Sequence, residues 1–249
     1  MSSHIAGHYA SLSATAIPLI RLNTDLDYPT SGELQIVTLE DPPPYYAISH
    51  AWKPGESPAV IQDGDQLRLS KNLTICIRRL QQLCHRDDPL SPTLRHIWID
   101  NICINQANTL ERSCQVALMK RVYSQSTRTV IWLGDPEFAL IAAGWQLISK
   151  IYGIFKKKNS EAKVISDIPL RTYDEGRHLA LGLPLLEDLR WKYLERLMSL
   201  RWYTRIRVIQ EVVLSSRDPI ILHGNNVHAW ESLGWAAAWL RRSGYMRLP

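Results

Sequence analysis

The chain has 249 residues and 45% of them are hydrophobic, which is enough apolar material to bury a sizeable core. No apolar run approaches the ~20 residues that cross a bilayer, and Met1 to Ala16 lack the basic and apolar segments of a signal peptide. We therefore expect a cytoplasmic protein that does not enter a membrane. The net charge of +5 is scattered along the chain, which argues against a nucleic-acid-binding protein.

The four cysteines give no sign of a metal site or a disulfide framework. Cys76, Cys84, Cys103 and Cys114 form neither a Cys-x-x-Cys pair nor a Cys/His metal spacing. We expect reduced thiols of an intracellular protein and no bound metal. Cys103 is a weak candidate for a nucleophile, because no activating base stands beside it in the sequence.

Two short apolar strands open the chain, over residues 17–22 and 33–39. The Asn, Asp, Pro and Gly residues between them favour turns, which predicts an N-terminal β-hairpin or edge ribbon over residues 17–40. Three consecutive prolines at 42–44 then end the second strand, because proline cannot donate a hydrogen bond to a neighbouring strand.

Strands and helices alternate through the middle of the chain. The elements are a buried strand over 45–52, a helix capped by Ser70, a buried strand from His96, a helix capped by Asn108, and a buried strand over 129–134. This alternation predicts a parallel sheet with right-handed crossovers. Glu111 stands three residues after Asn108, where a capping-box partner belongs. The predicted inner face of that helix consists of Val116, Met119, Val122 and Tyr123.

The second half of the chain is predicted to be mainly helical. The pattern gives a helix over 138–152, a polar irregular stretch over 156–184, a helix over 185–200, a bend at Trp202 and Tyr203, a helix over 204–215, a short strand over 220–224 and a final helix over 230–240. In the helix over 185–200 the side chains expected to point inward are Leu189, Leu194, Leu197 and Met198. Apolar residues surround most of the helix over 204–215, which predicts a buried helix.

Polar side chains stand where two of the predicted strands end. Ser49, His50 and Trp52 close the first strand of the alternating region, and Asp100 and Asn105 follow the next. Because the carboxyl ends of parallel strands meet at one edge of a sheet, these side chains predict a ligand site. The alternative is that Asp100 and Asn105 only satisfy backbone groups in a tight turn, and that His50 makes only a backbone hydrogen bond.

Three sequence blocks resemble the fungal heterokaryon incompatibility (HET) domain. They are Tyr46 to Trp52, Trp98 to Gln106 with the helix and strand that follow as far as Gly134, and Arg201 to Arg205 with Val208 to Glu211. The chain departs from the family pattern at two positions. Lys53 stands where a glycine often follows the tryptophan, and Arg207 stands where the family usually has a second tryptophan.

HET domains are themselves distantly similar to TIR domains, and the resemblance implies a fold. That fold is an α/β, TIR-like (flavodoxin-like) mostly parallel sheet flanked by helices, with the N-terminal β-hairpin and helical insertions added. The chain would then be a single HET domain over residues 1–249. Its core would comprise 45–135 and 200–240, with a β-ribbon over 17–40 and a helical or irregular insertion over 138–199.

The same resemblance implies a reaction. In catalytic TIR domains a glutamate on a late helix lets the fold cleave the nicotinamide–ribose bond of NAD, and the matching position here is Glu211. On this hypothesis Glu211 is catalytic, NAD is a substrate, and no cofactor is retained. The substrate would be bound by Ser49, His50, Trp52, Asp100, Asn105 and Arg205. The alternative is a structural Glu211, ion-paired with Arg205 or Arg207, with Trp98, Trp132 and Tyr123 as core residues.

A second hypothesis implied by the family belongs to another functional class. HET proteins act in non-self recognition and trigger cell death, and the domain would do so as a self-associating signalling module without catalysis. Both hypotheses lead us to expect homo-oligomers and a protein partner in an incompatibility pathway.

Overall fold

The computed structural model describes residues 4–6, 12–23, 31–51, 60–62, 66–84, 95–135 and 141–245. The chain divides into two compact units. The first comprises residues 1–135 and 205–227, and the second comprises residues 136–204 and 228–249. The prediction of one HET domain over the whole length stays a prediction.

The described elements alternate between strands and helices in the first half of the chain and are mainly helical in the second. In chain order they are β1 (His4–Ala6), β2 (Ala16–Leu22), β3 (Ser31–Thr38), β4 (Tyr45–His50), β5 (Val60–Gln62), β6 (Gln66–Arg68), α1 (Lys71–Cys84), β7 (His96–Ile99), α2 (Asp100–Cys103), α3 (Thr109–Gln125), β8 (Arg128–Trp132), α4 (Ile141–Lys158), α5 (Glu175–Ala180), α6 (Leu189–Met198), α7 (Arg207–Val213), β9 (Ile220–His223), β10 (Asn226–Ala229) and α8 (Trp230–Arg242). Two short 3-10 helices cover Ile165–Asp167 and Arg201–Thr204.

The first unit is built on a mixed sheet. Its strand order is β9-β8-β4-β7-β2-β3-β1-β6-β5, and β10 follows β9 at one edge. The four strands β9, β8, β4 and β7 pair in parallel, whereas β2 pairs antiparallel with both β3 and β7. The α/β class and the N-terminal β-hairpin are therefore confirmed. The parallel arrangement holds at the centre of the sheet and not across the whole of it.

The central strands are buried on both faces because helices cover the sheet. All six residues of β4 are buried, and so are all four of β9. Tyr45 at the start of β4 donates a hydrogen bond of 2.7 Å to the carbonyl of Val122 in α3. The ring of Tyr123 meets Trp98 of β7 edge-on, with 5.8 Å between centroids. Near-continuous apolar strands of this kind are typical of parallel sheets between helix layers.

Helix α3 begins at the predicted position, but the hydrogen bonds of its first turn differ from the predicted ones. The side chain of Asn108 caps it by accepting from the backbone N–H groups of Leu110 and Glu111. The predicted capping box is wrong, because the carboxylate of Glu111 accepts from the backbone N–H of Asn105, at 3.2 Å. Val116 is exposed, which was also not expected. Gln115 is buried in its stead and donates to the carbonyl of Ala16, at 2.8 Å.

Helix α7 is not the buried helix that the sequence predicts. It spans only Arg207–Val213, and its buried residues are Val208 and Glu211. Three large apolar side chains are exposed: Ile206 at 83%, Ile209 at 64% and Val213 at 73%. A helix turns by about 100° per residue, so these three side chains form one stripe on the side opposite to Val208 and Glu211. The spacing of the apolar residues in the sequence indicates that they share one side of the helix, but it does not show which side of the helix faces the sheet.

The second unit is mainly helical. Helix α4 packs against both α6 and α8. It continues to Lys158, so the irregular stretch begins later than predicted, and that stretch contains a 3-10 turn and α5. In α6 Leu194 and Leu197 are buried as expected. Leu189 and Met198 are exposed, and they are the first and last residues of α6.

No described helix is long and apolar enough to cross a membrane. Within the same described ranges, no cluster of three or more His, Cys, Asp or Glu side chains is arranged to hold a metal ion.

Candidate functional site

The candidate site lies at the carboxyl ends of β4 and β7. In the sheet Ile48 of β4 is opposite Ile99 of β7, so the residues that follow them reach the same edge. Those residues are Ser49 and His50 on one strand and Asp100 at the start of α2 on the other. The sheet therefore brings together polar side chains from two separate segments of the chain.

Helix α7 contributes a carboxylate to this edge. The hydroxyl of Ser49 donates a hydrogen bond to Oε2 of Glu211, although 162 positions separate the two residues in sequence. Both side chains are buried, and Glu211 is only 2% exposed. The hydroxyl of Thr129 in β8 also donates to the backbone carbonyl of Glu211, at 3.1 Å. These two hydrogen bonds attach the buried side of α7 to β4 and β8.

Arg205 provides the positive charge of the cluster. Its Nη2 lies 3.9 Å from Oε1 of Glu211, and its Nη1 donates to the backbone carbonyl of His50. Of the two arginines considered as ion-pair partners from the sequence, the structure brings Arg205 to the carboxylate. The side chain of Arg205 is partly exposed, whereas that of Glu211 is buried, so the ion pair joins a buried carboxylate to a partly exposed guanidinium group.

The surroundings of Glu211 favour its protonated form more than exposure to water would. Burial is the largest influence and raises the pKa of Glu211 above its usual range. The hydrogen bond from Ser49 and the charge of Arg205 lower the pKa, whereas the charge of Asp100 raises it again. The charge of Arg207 also lowers it, so the pKa of Glu211 is raised despite three favourable partners.

His50 and Asp100 form a second pair beside the first. Nδ1 of His50 lies 3.6 Å from Oδ1 of Asp100, with the imidazole fully buried and the carboxylate partly exposed. Gln106 holds the backbone here by donating from Nε2 to the carbonyl of Asp100, at 2.9 Å. At 3.6 Å this contact is longer than a hydrogen bond, so it does not test whether His50 makes only a backbone hydrogen bond or binds a ligand.

One predicted binding residue, Asn105, makes a local contact instead of joining the cluster. The side chain of Asn105 accepts from the backbone N–H of Ala107 at 3.1 Å, which is a local turn of the kind that the alternative interpretation described. Trp52 lies outside the described residues, as does Lys53. The cluster therefore consists of Ser49, His50, Asp100, Arg205 and Glu211.

Tyr123 is a core residue, as the sequence predicts, and it lies near the cluster. It is buried as expected, but its pKa is raised by burial and further by the charges of Glu211 and Asp100, while Arg205 opposes them. Its phenol therefore lies within the electrostatic field of the cluster. No sequence signal distinguishes it, because an aromatic residue on the apolar side of a helix is what a core position also requires.

The structure assigns Cys103 to the core. Its sulfur accepts from the backbone N–H of Ile99 at 3.4 Å, and burial raises the pKa of the thiol to about 12. A thiol with so high a pKa carries almost no thiolate near neutral pH, so it is a poor nucleophile.

Chemically, the cluster presents one carboxylate that Ser49 and Arg205 orient in a nearly dry environment. A fixed carboxylate of this kind can stabilise a positive charge that develops on a bound molecule. In the described part of the chain, the side chains of the cluster that reach solvent are those of Asp100 and Arg205.

Comparison with known proteins finds a family whose model matches most of the chain. The family described as "Heterokaryon incompatibility protein (HET)" matches residues 45–211, a range that contains every member of the cluster. A curated protein of Neurospora crassa, "Heterokaryon incompatibility protein 6, OR allele", is 38% identical over 109 residues. That match covers 39% of this chain, and the chain spans 15% of the length of that relative. No solved structure matches the chain.

Proposed function

The chain belongs to the heterokaryon incompatibility (HET) family, and we propose that it is an effector domain of fungal non-self recognition that promotes cell death by hydrolysing NAD. The observation that carries the proposal is the convergence of Ser49, Arg205 and Glu211 at the carboxyl edge of the parallel strands. NAD is a substrate here and no cofactor is retained. We further propose a cytoplasmic protein that forms homo-oligomers and has a protein partner in the incompatibility pathway.

The order of the parallel strands supports a TIR-like core. Numbered along the chain, β4, β7, β8 and β9 are the first to fourth parallel strands, and they lie in the order 2-1-3-4. A flavodoxin-like sheet has the order 2-1-3-4-5 and binds its ligand where the order reverses, between strands 1 and 3. In this chain that position is the carboxyl end of β4 beside β8, where Ser49 stands opposite Ile131.

The proposed reaction breaks the bond between the nicotinamide nitrogen and C1′ of the ribose. The electron pair of that bond leaves with nicotinamide, and positive charge develops on the ribose ring. Water then adds to C1′ and loses a proton. Glu211 must be ionised to stabilise this charge and to bind the ribose hydroxyls. Its hydrogen bond from Ser49 and its ion pair with Arg205 support the ionised form.

A second candidate function is a self-associating signalling module without catalysis. It is favoured by the burial of Ser49, His50 and Glu211, which leaves little of the cluster open to a ligand in the described residues. In that case the contacts of Glu211 serve to hold α7 on the sheet, since a buried carboxylate must be paired.

NAD consumption by the purified protein tests the proposal. Nicotinamide and ADP-ribose would be quantified for the wild type and for Glu211→Gln over a wide range of protein concentration, because assembly can be required for activity. The matched control is Glu111→Gln, which removes a carboxylate that accepts from the backbone N–H of Asn105 and makes no hydrogen bond or ion pair with Glu211, Ser49 or Arg205 in the described residues. We expect Glu211→Gln to lower turnover by about a hundredfold or more, and Glu111→Gln to leave it nearly unchanged.

Two results would contradict the proposal. Turnover that survives in a folded Glu211→Gln variant would remove Glu211 from the reaction. Absence of turnover by the wild type at every concentration would remove NAD hydrolysis and favour the signalling module.

A further inference from the structure

Asp100 is the member of the cluster whose charge its contacts do not explain. The carboxylate of Glu211 has a hydrogen bond from Ser49 and an ion pair with Arg205. In contrast, Oδ1 of Asp100 is buried and has no hydrogen-bond partner among the described residues. Nδ1 of His50 lies 3.6 Å from it, which is longer than a hydrogen bond to a charged group. A buried polar atom of this kind requires an explanation.

The local structure around Asp100 does not supply that explanation. Asp100 is the first residue of the four-residue helix α2, but the N-cap position belongs to Ile99, which makes no side-chain capping hydrogen bond. The backbone is held by Gln106, whose Nε2 donates to the carbonyl of Asp100 at 2.9 Å. That hydrogen bond does not involve the carboxylate. The described contacts that hold this segment therefore do not use the negative charge of Asp100.

The charge of Asp100 is nevertheless felt by the groups around it. Burial is the main reason that the pKa values of Glu211 and Tyr123 are raised, and the charge of Asp100 raises both of them further. A cation bound beside Asp100 would offset this effect. The side chain of Asp100 is 14% exposed, whereas that of Glu211 is 2% exposed. A charged ligand from solvent can therefore contact Asp100 while the hydrogen bond between Ser49 and Glu211 stays in place.

We propose that Asp100 is a specificity-determining residue that acts as the counter-ion of the nicotinamide ring, so that this chain binds NAD in preference to NADH. The ring of NAD is a pyridinium cation, whereas the dihydropyridine ring of NADH is neutral, and the two molecules carry the same phosphates. An ionised carboxylate beside the ring therefore attracts the first ring and not the second. The inference deepens the proposed function and rests on it, because it takes NAD as the substrate.

Asp100 and Glu211 then act on two different charges. The charge that Asp100 binds is on the ring before the reaction begins, whereas the charge that Glu211 stabilises develops on the ribose as the bond breaks. An interaction that is already made with the bound substrate lowers KM without raising kcat. Loss of the Asp100 charge should therefore raise KM and change kcat little, whereas loss of the Glu211 carboxylate should lower kcat.

Binding of carba-NAD in its oxidised and reduced forms tests the proposal without turnover. In this analogue a carbocycle replaces the ribose beside nicotinamide, so the bond cannot be hydrolysed, and the two forms differ in the charge of the ring. Dissociation constants would be measured by isothermal titration calorimetry near neutral pH for the wild type, Asp100→Asn and Asp100→Glu, with circular dichroism to check the fold.

The matched control is Glu40→Gln, which makes the same change from carboxyl to amide at another partly exposed ion pair. Glu40 lies 3.4 Å from Nη2 of Arg121. It precedes β4, whereas the cluster lies where that strand ends. The control therefore changes the net charge by the same amount at the opposite end of the strand.

We expect the wild type and Glu40→Gln to bind the oxidised form about tenfold more tightly than the reduced form. Asp100→Asn should weaken binding of the oxidised form and leave binding of the reduced form nearly unchanged, so that the ratio of the two dissociation constants approaches one. Asp100→Glu keeps the charge and should keep most of the preference. Binding of the reduced form is thus an internal check on the shape of the site.

Several results would overturn the proposal. They are a wild type that binds neither form or both forms equally, and an Asp100→Asn variant that keeps the preference. Equal weakening of both forms by Asp100→Asn, or loss of the preference in Asp100→Glu, would assign Asp100 a structural role instead. Turnover of NAD without a preference for the charged ring would remove only the role of Asp100. A preference without turnover would remove only the hydrolysis.

Discussion

Replacing Ser49 by alanine should make the stability of this chain depend more strongly on pH. Its hydroxyl donates to Oε2 of Glu211, and that hydrogen bond is one of the influences that lower the pKa of the carboxyl group. The substitution removes a single oxygen atom from a buried position and leaves Glu211 with Arg205, whose Nη2 lies 3.9 Å away.

The magnitude follows from the charge of the acceptor. A hydrogen bond to a charged group contributes about 1.5–3 kcal/mol, and one between neutral groups about 1 kcal/mol. Because the pKa of Glu211 is raised on folding, its ionisation lowers the free energy of unfolding as pH rises through that pKa. Without Ser49 the pKa rises further. Ser49→Ala should therefore cost about 1 kcal/mol when Glu211 is protonated and about 2 kcal/mol when it is ionised.

Urea unfolding, followed by tryptophan fluorescence from the ordinary glutamate pKa of about 4.3 upward through the raised pKa of Glu211, measures this difference. The control is Ser126→Ala, which removes another buried hydroxyl whose acceptor, the carbonyl of Tyr123 at 2.8 Å, carries no charge. The control should cost about 1 kcal/mol at every pH. If the cost of Ser49→Ala is equally constant, the ionisation of Glu211 is not linked to Ser49 and the electrostatic account of the cluster is wrong.

Two further predictions concern backbone positions. Asn108→Ala should lower the free energy of unfolding by about 1 kcal/mol, because it removes the acceptor for two N–H groups at the start of α3; an unchanged thermal midpoint would contradict this. Gly244→Ala should destabilise the chain by about 3 kcal/mol or more, because φ is +91° and a Cβ there would overlap the backbone nitrogen of Tyr173. Gly182→Ala, with φ of +64° and only an ordinary contact with Lys150 Nζ at 3.9 Å for the added Cβ, is the control and should cost about 1 kcal/mol. Equal effects of the two alanines in thermal melts would show that the overlap does not matter.

Local chemistry made most of the secondary structure readable from the sequence. Asn108 begins α3 because its side-chain oxygen accepts from N–H groups that have no partner within the helix. Ser70 does the same for α1, accepting from the backbone N–H of Leu73 at 3.3 Å. The apolar composition of β4 predicted its burial, because a strand covered on both faces cannot expose a polar side.

The error in the predicted burial of α7 arose from partners that are distant in sequence, whereas the error at Glu111 arose from the neighbouring turn. The apolar residues of α7 predicted a buried helix, but the sheet and α3 accept only the side with Val208 and Glu211. Glu111 reached Asn105 in place of the helix cap because the preceding turn brings that N–H within 3.2 Å.

The sequence by itself determined the α/β class, the family and the identity of the polar residues at the strand ends, because these depend on local pattern and on motif spacing. Only the tertiary structure decided which of them meet. Strand pairing brings Ser49 to Glu211 across 162 positions and leaves Asn105 in its own turn. The same packing raises the pKa of Glu211 and leaves Ile206, Ile209 and Val213 exposed. The burial and the electrostatic environment of a side chain depend on residues from several segments that pack around it, so they cannot be inferred from one segment of the sequence alone.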